Sequence, residues 1–307
     1  MKCLVTGGAG FIGSHLVDRL IELNHEVAVI DNLSTGEKEN INPRAKFYNA
    51  DILDSNAVSK IFQQERPEIV FHYAAQINVR KSVEDPLLDA NTNILGSLNV
   101  LENCKKQNVK KIIFASSGGT IYGQAQIIPT KEESPEIPLC PYGIAKLSVE
   151  KYLNYYHKVW GLKFVALRFA NVYGPRQSTK GEAGVIAIFF EKMLAKQKVT
   201  INGNGFQTRD FIFVDDIVQA NVLAIEHDET GIFNVGTGIE TNINVIFQKI
   251  KELAGSDCEE SHGISISGEI ERSSLDFSKI NKYFGWRAGY DLQKGLEKTT
   301  GWFKKQS

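Results

Sequence analysis

The sequence predicts an α/β protein: a Rossmann-type, doubly wound parallel sheet joined to a smaller mixed α/β region that binds the substrate. Through the first half of the chain, short apolar runs rich in β-branched residues alternate with amphipathic stretches. That alternation is typical of parallel strands covered by helices on both faces. A glycine-rich segment directly follows the first apolar run, which is where a doubly wound fold places its phosphate-binding turn.

Predicted strands and helices alternate regularly up to residue 173. We expect strands at residues 2–6, 26–31, 46–51, 69–74, 111–116 and 164–169. We expect helices between them at residues 10–23, 55–65, 88–107 and 142–160. This order makes residues 1–173 the expected Rossmann domain.

The pattern loosens after residue 173, where Gly174 and Pro175 interrupt the chain. We predict strands at 210–214 and 231–235 and helices at 185–196, 215–226, 242–254, 278–284 and 292–304. Residues 211–235 are expected to return to the Rossmann domain. Residues 174–210 and 236–307 are expected to form the smaller region, packed tightly because no Pro/Ser-rich linker separates the two.

The composition excludes several classes of partner. Among the 307 residues, 35 Lys+Arg balance 36 Asp+Glu, so we expect neither nucleic acid nor an anionic membrane as a partner. No apolar run reaches the roughly 18 residues of a membrane span. The four cysteines lack CxxC spacing, so we expect no metal site and no disulfide framework. With the first strand beginning at Lys2 we expect no signal peptide, and we place the protein in the cytoplasm.

The glycine-rich segment, residues 6–13, predicts a dinucleotide site. Gly7 permits a tight turn, Gly10 lets the backbone approach a pyrophosphate, and Gly13 lets helix and strand pack closely. Phe11 and Ile12 open the helix, whose N-terminus then faces the anion. Such a glycine trio is weak evidence alone, but a strand precedes it and an amphipathic helix follows it.

Acidic residues at two later strand ends complete the predicted cofactor site. Asp31 ends the second strand about 20 residues after the glycines, where a carboxylate accepts hydrogen bonds from a ribose. Its charge repels a 2′-phosphate, so NAD is favoured over NADP. Asp51 and Ile52 end the third strand, within reach of the adenine. For both aspartates the alternative is a solvated turn residue.

Tyr142 and Lys146 form the predicted catalytic pair. They are four residues apart at the start of a long amphipathic helix and so share one face. An ammonium group there stabilises a tyrosinate and lowers its pKa from about 10. Such a tyrosine can take a proton from a sugar hydroxyl while hydride leaves the same carbon for NAD. The alternative is two surface residues, which the glycine motif disfavours.

Together these motifs resemble the extended short-chain dehydrogenase/reductases, specifically the UDP-glucose 4-epimerase family of NAD-dependent epimerases and dehydratases. The landmarks cover nearly the whole chain: residues 6–13, 31–33, 51–52, 72–76, 93–96, 142–146, 167–176, 207–210 and 275–279. The resemblance implies that NAD stays bound, that Tyr142 removes the proton of the 4-hydroxyl, and that hydride returns to the other face of a 4-keto sugar. It adds Asn32, Ala74, Ala75 and Asn93 to the cofactor site. It also places Tyr142 and Lys146 there, with Lys146 binding the nicotinamide ribose.

The resemblance also implies a nucleotide-sugar site in the smaller region. It places Asn171 and Arg209 at the diphosphate, and a guanidinium suits phosphate oxygens. Glu269 would contact the uridine ribose. The family has a cation where this chain has Ile266, and Arg272 is the candidate to replace it.

The family has a third catalytic group, a Ser or Thr hydroxyl, and this chain has a glycine at the corresponding position. Counting back from residues 122–123 puts Gly118 at its position. Ser117 is the nearest substitute, although the strand pleat directs it the other way. Thr120 or a water is the alternative.

Substrate size and assembly are also suggested by the resemblance. Ser273 corresponds to a bulky family residue near the sugar C2 group, so UDP-N-acetylhexosamines are expected to fit as well as UDP-glucose and UDP-galactose. Helices 88–107 and 142–160 are expected to pair with a second copy in a homodimer.

Other reactions on the same scaffold stay open, namely a uronate epimerase, a decarboxylase or a reductase. Asp31 speaks against the reductase, because such an enzyme prefers NADPH. A non-catalytic NAD-binding regulator is the remote alternative.

Overall fold

The computed structural model describes residues 1–179, 184–265 and 270–306. Its centre is a seven-stranded parallel sheet in the order β3-β2-β1-β4-β5-β6-β11. The strands are β1 (Lys2–Thr6), β2 (Glu26–Asp31), β3 (Lys46–Asn49), β4 (Ile69–His72), β5 (Lys111–Ser117), β6 (Lys163–Phe169) and β11 (Gly231–Val235). The predicted α/β fold with a doubly wound parallel sheet is therefore confirmed.

The described residues contain twelve α-helices. They are α1 (Phe11–Glu22), α2 (Ser55–Glu65), α3 (Val79–Glu84), α4 (Pro86–Ala90), α5 (Gly96–Lys106), α6 (Gly118–Ile121), α7 (Pro141–Trp160), α8 (Val185–Leu194), α9 (Val214–Glu226), α10 (Ile243–Ala254), α11 (Ser278–Phe284) and α12 (Leu292–Gln306). The long ones begin and end near the predicted bounds, because their apolar spacing and their caps are local features.

Helices cover both faces of the sheet. One apolar cluster joins α1, α9 and α11 to the sheet, and a second joins α2, α5 and α7 to its other face. Neighbouring residues of β1 illustrate the alternation, because Leu4 belongs to the second cluster and Val5 to the first, both fully buried. Strands covered on both faces read as continuous apolar runs, as the sequence does.

A third apolar cluster holds the smaller region together. Helices α8, α10 and α12 pack through aromatic side chains, with the rings of Phe189 and Phe247 5.9 Å apart and those of Phe190 and Phe303 5.5 Å apart. The remaining strands pair two by two: β7 (Asn171–Tyr173) with β10 (Phe211–Phe213), β9 (Thr208–Arg209) with β12 (Thr241–Asn242), and β8 (Ile201–Asn202) with β13 (His262–Gly263).

The predicted helix 88–107 is wrong in detail. It is divided into α4, a π-helical turn at Asn91–Leu95 and α5. Helix α4 begins earlier than predicted, because Pro86 occupies its first position and the Asp85 side chain caps it. Strands β3 and β4 each end two residues before their predicted ends. Helices α3 and α6 are single turns and were not predicted.

The strand order fixes the position of the candidate site. The order reverses between β1 and β4. Thr6, the last residue of β1, pairs with Ile30 of β2 on one side and with His72 of β4 on the other. In open α/β sheets, ligands bind at the carboxyl ends of the strands at such a switch point. Within the described ranges, no helix is long and apolar enough to cross a membrane.

Candidate active site

The turn between β1 and α1 needs glycine at Gly7, and the first turn of α1 needs it at Gly13. Gly7 has a φ of +72°, and a Cβ there would lie 2.6 Å from the backbone nitrogen of Ala74. A Cβ on Gly13 would lie 2.2 Å from the Gly7 carbonyl oxygen. The turn is thus pressed against both the end of β4 and the first turn of α1, and side chains would separate them.

Helix α1 begins at this turn with its amide groups facing the switch point. Gly10 is the N-cap and has no side chain to occupy the space. The first-turn residues Phe11 and Ile12 direct their side chains into the third apolar cluster, so their backbone N–H groups are the polar groups at the helix end. Positive partial charge at a helix N-terminus suits a pyrophosphate.

Asp31 holds the glycine turn at the end of β2. It is 8% exposed, and its Oδ2 accepts a hydrogen bond from the Ala9 nitrogen at 2.9 Å. Its Oδ1 accepts one from the Leu33 nitrogen at 2.8 Å. A solvated turn residue would be exposed, so that alternative does not fit Asp31. Each carboxylate oxygen keeps a lone pair, so ribose hydroxyls can still be accepted.

The predicted adenine-side residues lie together at the neighbouring strand ends. The Nδ2 of Asn32 donates to the Oδ2 of Asp51 at 2.8 Å, and the Oδ1 of Asp51 accepts from the Leu53 nitrogen at 2.8 Å. Ile52 is buried, and its side chain occupies the space beside Gly96. Asn32 and Asp51 thus form one polar edge next to Asp31.

The residues predicted after β4 have different roles. Ala74 and Ala75 are half-buried, and the Ala74 nitrogen donates to the Oγ1 of Thr6 at 3.2 Å. Asn93 is buried and its side chain is occupied within the protein. Its Oδ1 accepts from the Gln76 nitrogen and its Nδ2 donates to the Gln76 oxygen, both at 2.8 Å. The amide of Asn93 clamps the chain after β4, and the cofactor contact expected of Asn93 stays a prediction.

Tyr142 and Lys146 come together on the inner face of α7. Lys146 is 4% exposed, and its Nζ donates to the Ala115 oxygen at 2.8 Å. The same Nζ lies 5.6 Å from the centre of the Tyr142 ring and 4.8 Å from that of Phe114. The backbone nitrogen of Tyr142 donates to the Oγ of Ser82 at 3.3 Å. The alternative of two surface residues does not fit this geometry.

The ionisation of this pair differs from the expectation. Burial, together with the negative charge of Asp89 and the Cys140 thiol, raises the pKa of Tyr142 above its ordinary value of 10. Burial lowers the pKa of Lys146 to about 8, against the opposing charges of Asp89 and Glu150. Burial is the largest cause of the shift of Tyr142, so the predicted lowering of the tyrosine pKa is not seen in the protein alone.

Ser117 lies at the carboxyl end of β5, where α6 begins. Its Oγ accepts a hydrogen bond from the Oγ1 of Thr120 at 2.9 Å. The preceding Ser116 donates to the Oε1 of Glu150 on α7, so the pleat directs Ser117 to the opposite side, as predicted. A Cβ on Gly118 would lie 2.4 Å from the Cδ1 of Leu275. Leu275 therefore fills the space that a hydroxyl-bearing side chain would need at 118.

The predicted diphosphate residues lie on β7 and β9. Asn171 is exposed, and its Oδ1 would be 3.9 Å from a Cβ on Gly119, which places it beside α6. Arg209 is half-buried, and its Nη1 donates to the Thr208 oxygen at 2.8 Å. Next to it the buried Asp210 accepts hydrogen bonds from the nitrogens of residues 237, 238 and 275. Asp210 was not predicted as a site residue, although it holds two segments, residues 237–238 and Leu275, beside β9 and β10.

The other predicted substrate residues are only partly described. Arg272 is exposed, and its guanidinium pairs with the carboxylate of Glu240, with 2.9 Å between Nε and Oε1. Arg272 is thus ion-paired with Glu240 at the surface, and its contact with the diphosphate stays a prediction. Ser273 is half-buried in the following segment. Glu269 and Ile266 lie outside the described residues.

A comparison with models of known protein families shows to which family this chain belongs. Residues 3–236 match the model of the NAD-dependent epimerase/dehydratase family. The chain belongs to this family. Its cofactor is therefore NAD, and the glycine turn and the Asp31 carboxylate fit that cofactor, because a Cβ would fill the cradle at Gly7 and Gly13.

Three solved structures are similar along their whole length. UDP-glucose 4-epimerase from Thermotoga maritima, solved with UDP-glucose, is 48% identical with a TM-score of 0.98, covering 100% of this chain and 99% of that one. The Thermus thermophilus UDP-glucose 4-epimerase, solved with NAD, is 42% identical with a TM-score of 0.96, covering 100% of both. UDP-N-acetylglucosamine 4-epimerase from Methanobrevibacter ruminantium, solved with UDP-N-acetylmuramic acid, is 38% identical with a TM-score of 0.94, covering 100% and 99%.

A buried ion-pair network that lies between β6 and α7 was not predicted from the sequence. Arg168 on β6 and Glu150 on α7 are both fully buried and joined by two hydrogen bonds. Arg168 also donates to Glu136 and to the Tyr122 hydroxyl. An arginine inside an apolar strand run was the available signal, since an arginine is buried only when paired.

Proposed function

We propose that this chain is an NAD-dependent UDP-hexose 4-epimerase that interconverts UDP-glucose and UDP-galactose. The observation that carries the proposal is the Tyr142–Lys146 pair on α7. Tyr142 is half-buried, and the buried Lys146 donates to the Ala115 oxygen near the carboxyl end of β5. The full-length similarity to UDP-glucose 4-epimerases solved with UDP-glucose and with NAD supports it.

The chemistry follows from the positions of the side chains. The Oη of Tyr142 takes the proton of the sugar 4-hydroxyl and later returns a proton to the same oxygen. Lys146 stabilises the phenolate electrostatically, and its bond to the Ala115 oxygen fixes its ammonium group. When bound between these residues, NAD would supply the hydride chemistry at C4 of the sugar, which no side chain of the protein can supply. Ser117 is proposed as the hydroxyl that contacts O4, after exchanging its bond with Thr120.

We assign the cofactor contacts to the switch-point edge. The backbone of Gly7, Gly10, Phe11, Ile12 and Gly13 would hold the pyrophosphate. In addition, Asp31 would bind the adenosine ribose, and further contacts would come from Asn32, Asp51, Ile52, Ala74 and Ala75, with Asn93 acting through Gln76. We assign residues 1–173 and 211–235 to the NAD-binding domain, supported by the pairing of β11 with β6. Residues 174–210 and 236–307 would bind the nucleotide sugar.

The substrate side is proposed as follows. Asn171 and Arg209 would contact the diphosphate, and Arg272 would join them by leaving Glu240. Glu269 is kept as the ribose ligand. Acceptance of the UDP-N-acetylhexosamines is supported by the small Ser273 and by the similarity to a UDP-N-acetylglucosamine 4-epimerase.

We further propose a homodimer. Apolar side chains are exposed on the helices around α7: Leu87 at 82%, Leu95 at 55%, Ile144 at 51%, Tyr155 at 49% and Val159 at 56%. Exposed apolar patches of this kind mark interaction surfaces. A cytoplasmic location is supported by the reduced thiols Cys3, Cys104 and Cys258.

The test is turnover without added cofactor. The purified protein is incubated with UDP-glucose, UDP-N-acetylglucosamine and UDP-glucuronate in separate reactions, and the products are separated by chromatography. We expect UDP-galactose from the first, the C4 epimer from the second, and NAD released on denaturation. Tyr142→Phe should abolish turnover, whereas Tyr283→Phe, a matched change on the exposed face of α11, should not. Conversion of UDP-glucuronate alone would overturn the proposal.

A further inference from the structure

A buried carboxylate that the proposed chemistry does not use lies behind the catalytic pair. Asp89, on α4, is 1% exposed. Its Oδ1 accepts hydrogen bonds from the Nε2 of Gln76 and the Nδ2 of Asn93, both at 2.9 Å. Its Oδ2 is buried and has no hydrogen-bond partner among the described residues. A buried charged group with one oxygen left unpaired costs stability, so a role in the site is a reason for its presence.

This carboxylate is held rigidly relative to the cofactor edge. Asn93, which donates to Asp89, also bonds both the nitrogen and the oxygen of Gln76. Gln76 directly follows Ala75, in the segment after β4. Two amide N–H groups on one oxygen favour the ionised carboxylate. The hydrogen bonds of Gln76 and Asn93 and the charge of Lys146 oppose the burial that raises the pKa of Asp89.

Helix α4 packs against α7, which carries the catalytic pair. The negative charge of Asp89 acts on both members of the pair. It raises the pKa of Tyr142, in the same direction as burial. It also raises the pKa of Lys146, against the burial that lowers that pKa to about 8.

Other titratable groups around the pair are neutral, matched or exposed. The buried His72 on β4 lies near Lys146, and burial together with the charge of Lys146 lowers the pKa of His72 to about 3, so its ring is neutral. Glu150 also faces Lys146, but it is paired with Arg168. The Cys140 thiol precedes Tyr142 and acts on it more weakly than Asp89. The charged side chains of α3 and the next one along α7 are exposed: Arg80, Lys81, Glu84 and Lys151. Asp89 is thus the buried carboxylate that acts on both Tyr142 and Lys146.

We propose that Asp89 is a positioning residue whose negative charge balances the protonation of the Tyr142–Lys146 pair. An epimerase takes a proton from the 4-hydroxyl and returns one in the same turnover, so its tyrosine serves as base and as acid. Asp89 keeps Lys146 cationic in a buried site and keeps the Tyr142 phenol ready to hold its proton. The inference rests on the proposed function, because it assigns the acid/base role to this pair.

Asp89→Asn tests the charge with little change of shape. The amide oxygen still accepts the bonds of Gln76 and Asn93, and the NH₂ group replaces the unpaired Oδ2. Removing a negative charge lowers the pKa of a phenol and of an ammonium group alike. Both limbs of the pH profile of kcat on UDP-glucose should therefore move to lower pH, by about one unit. A side chain with a merely structural role would lower kcat and leave both limbs in place.

Matched variants control for the helix and for the charge. Asp85→Asn removes the same charge from the exposed N-cap of α4, where an asparagine caps equally well. It should leave both limbs where they are. Asp89→Glu keeps the charge, so its limbs should stay near those of the wild type even if kcat falls.

A spectroscopic titration separates this inference from the proposed function. The tyrosinate absorbance of the NAD-loaded protein is followed with pH, and the curve of Tyr142→Phe is subtracted to isolate Tyr142. The midpoint should fall in Asp89→Asn by about one unit, whether or not UDP-glucose is a substrate. A moved midpoint without turnover would reject the epimerase and keep the role of Asp89. An unmoved midpoint in the folded variant would overturn that role.

Discussion

Gly118→Ala is the sharpest test of how the missing hydroxyl position is filled. A Cβ at 118 would lie 2.4 Å from the Cδ1 of Leu275 and 2.8 Å from its Cδ2. Carbon atoms in contact are normally about 3.5–4.0 Å apart, so the added methyl is about 1 Å too close. Leu275 is 1% exposed, and its nitrogen is bonded to Asp210. Because the leucine has little room to move, we expect a loss of about 1–3 kcal/mol in the free energy of unfolding.

The same geometry predicts a strong coupling between the two positions. Leu275→Ala alone should cost about 2–5 kcal/mol, because it leaves a cavity. In that background the cost of Gly118→Ala should vanish, so the two changes should couple by about 1–3 kcal/mol. Urea denaturation followed by circular dichroism measures each step, at one fixed NAD concentration because bound ligand shifts stability.

Gly119→Ala is the matched control, since the nearest atom to its Cβ is 3.9 Å away. It should change the stability little. If Gly118→Ala costs the same with and without the Leu275 side chain, or costs nothing, the packing argument is refuted. In that case the space at 118 is open, and a hydroxyl there is absent for some other reason.

Three further predictions concern the ion pair, the cofactor and the assembly. Glu150→Gln leaves the buried Arg168 only partly paired, so the free energy of unfolding in urea should fall by about 3 kcal/mol, whereas Glu22→Gln in an exposed ion pair should change it little. Asp31→Asn removes the charge at the ribose and should weaken NAD binding about tenfold or more in calorimetry, with NADP gaining relative to NAD. Val159→Glu puts a charge on the exposed apolar face of α7 and should convert a dimer into monomers by light scattering.

Local features of the sequence were sufficient for most of the sheet. The strands of the Rossmann part are short β-branched runs, and the glycine turn is contained in residues 6–13, so each could be predicted from a few neighbouring residues. Asp31 and the Tyr142–Lys146 pair were also within reach, because one ends a strand and the other two share a helix face. The errors at the ends of β3 and β4 are of two residues.

Contacts between distant segments could not be predicted in this way. Leu275 fills the space at Gly118 from 157 positions further along the chain, and no local pattern indicates it. Arg272 was expected to supply a charge, but it pairs with Glu240 across two loops. An asparagine at position 93 is compatible with cofactor binding, and nothing in the local sequence indicates that its amide bonds to Gln76. In each case the partner is chosen by tertiary packing.

The ionisation of the catalytic pair is the clearest example of that limit. Spacing alone predicts that the ammonium group lowers the pKa of the phenol. The fold buries both groups, and burial disfavours charge on each, so the pKa of Tyr142 rises while that of Lys146 falls to about 8. Both pKa shifts favour the uncharged forms. A tyrosinate beside a protonated lysine therefore depends on charged groups that lie outside α7. Asp89 on α4 is one such charge, and the positive nicotinamide ring of NAD is another, with the opposite effect on the phenol. The helix therefore supplies the two reacting side chains, and the packing around it sets their protonation.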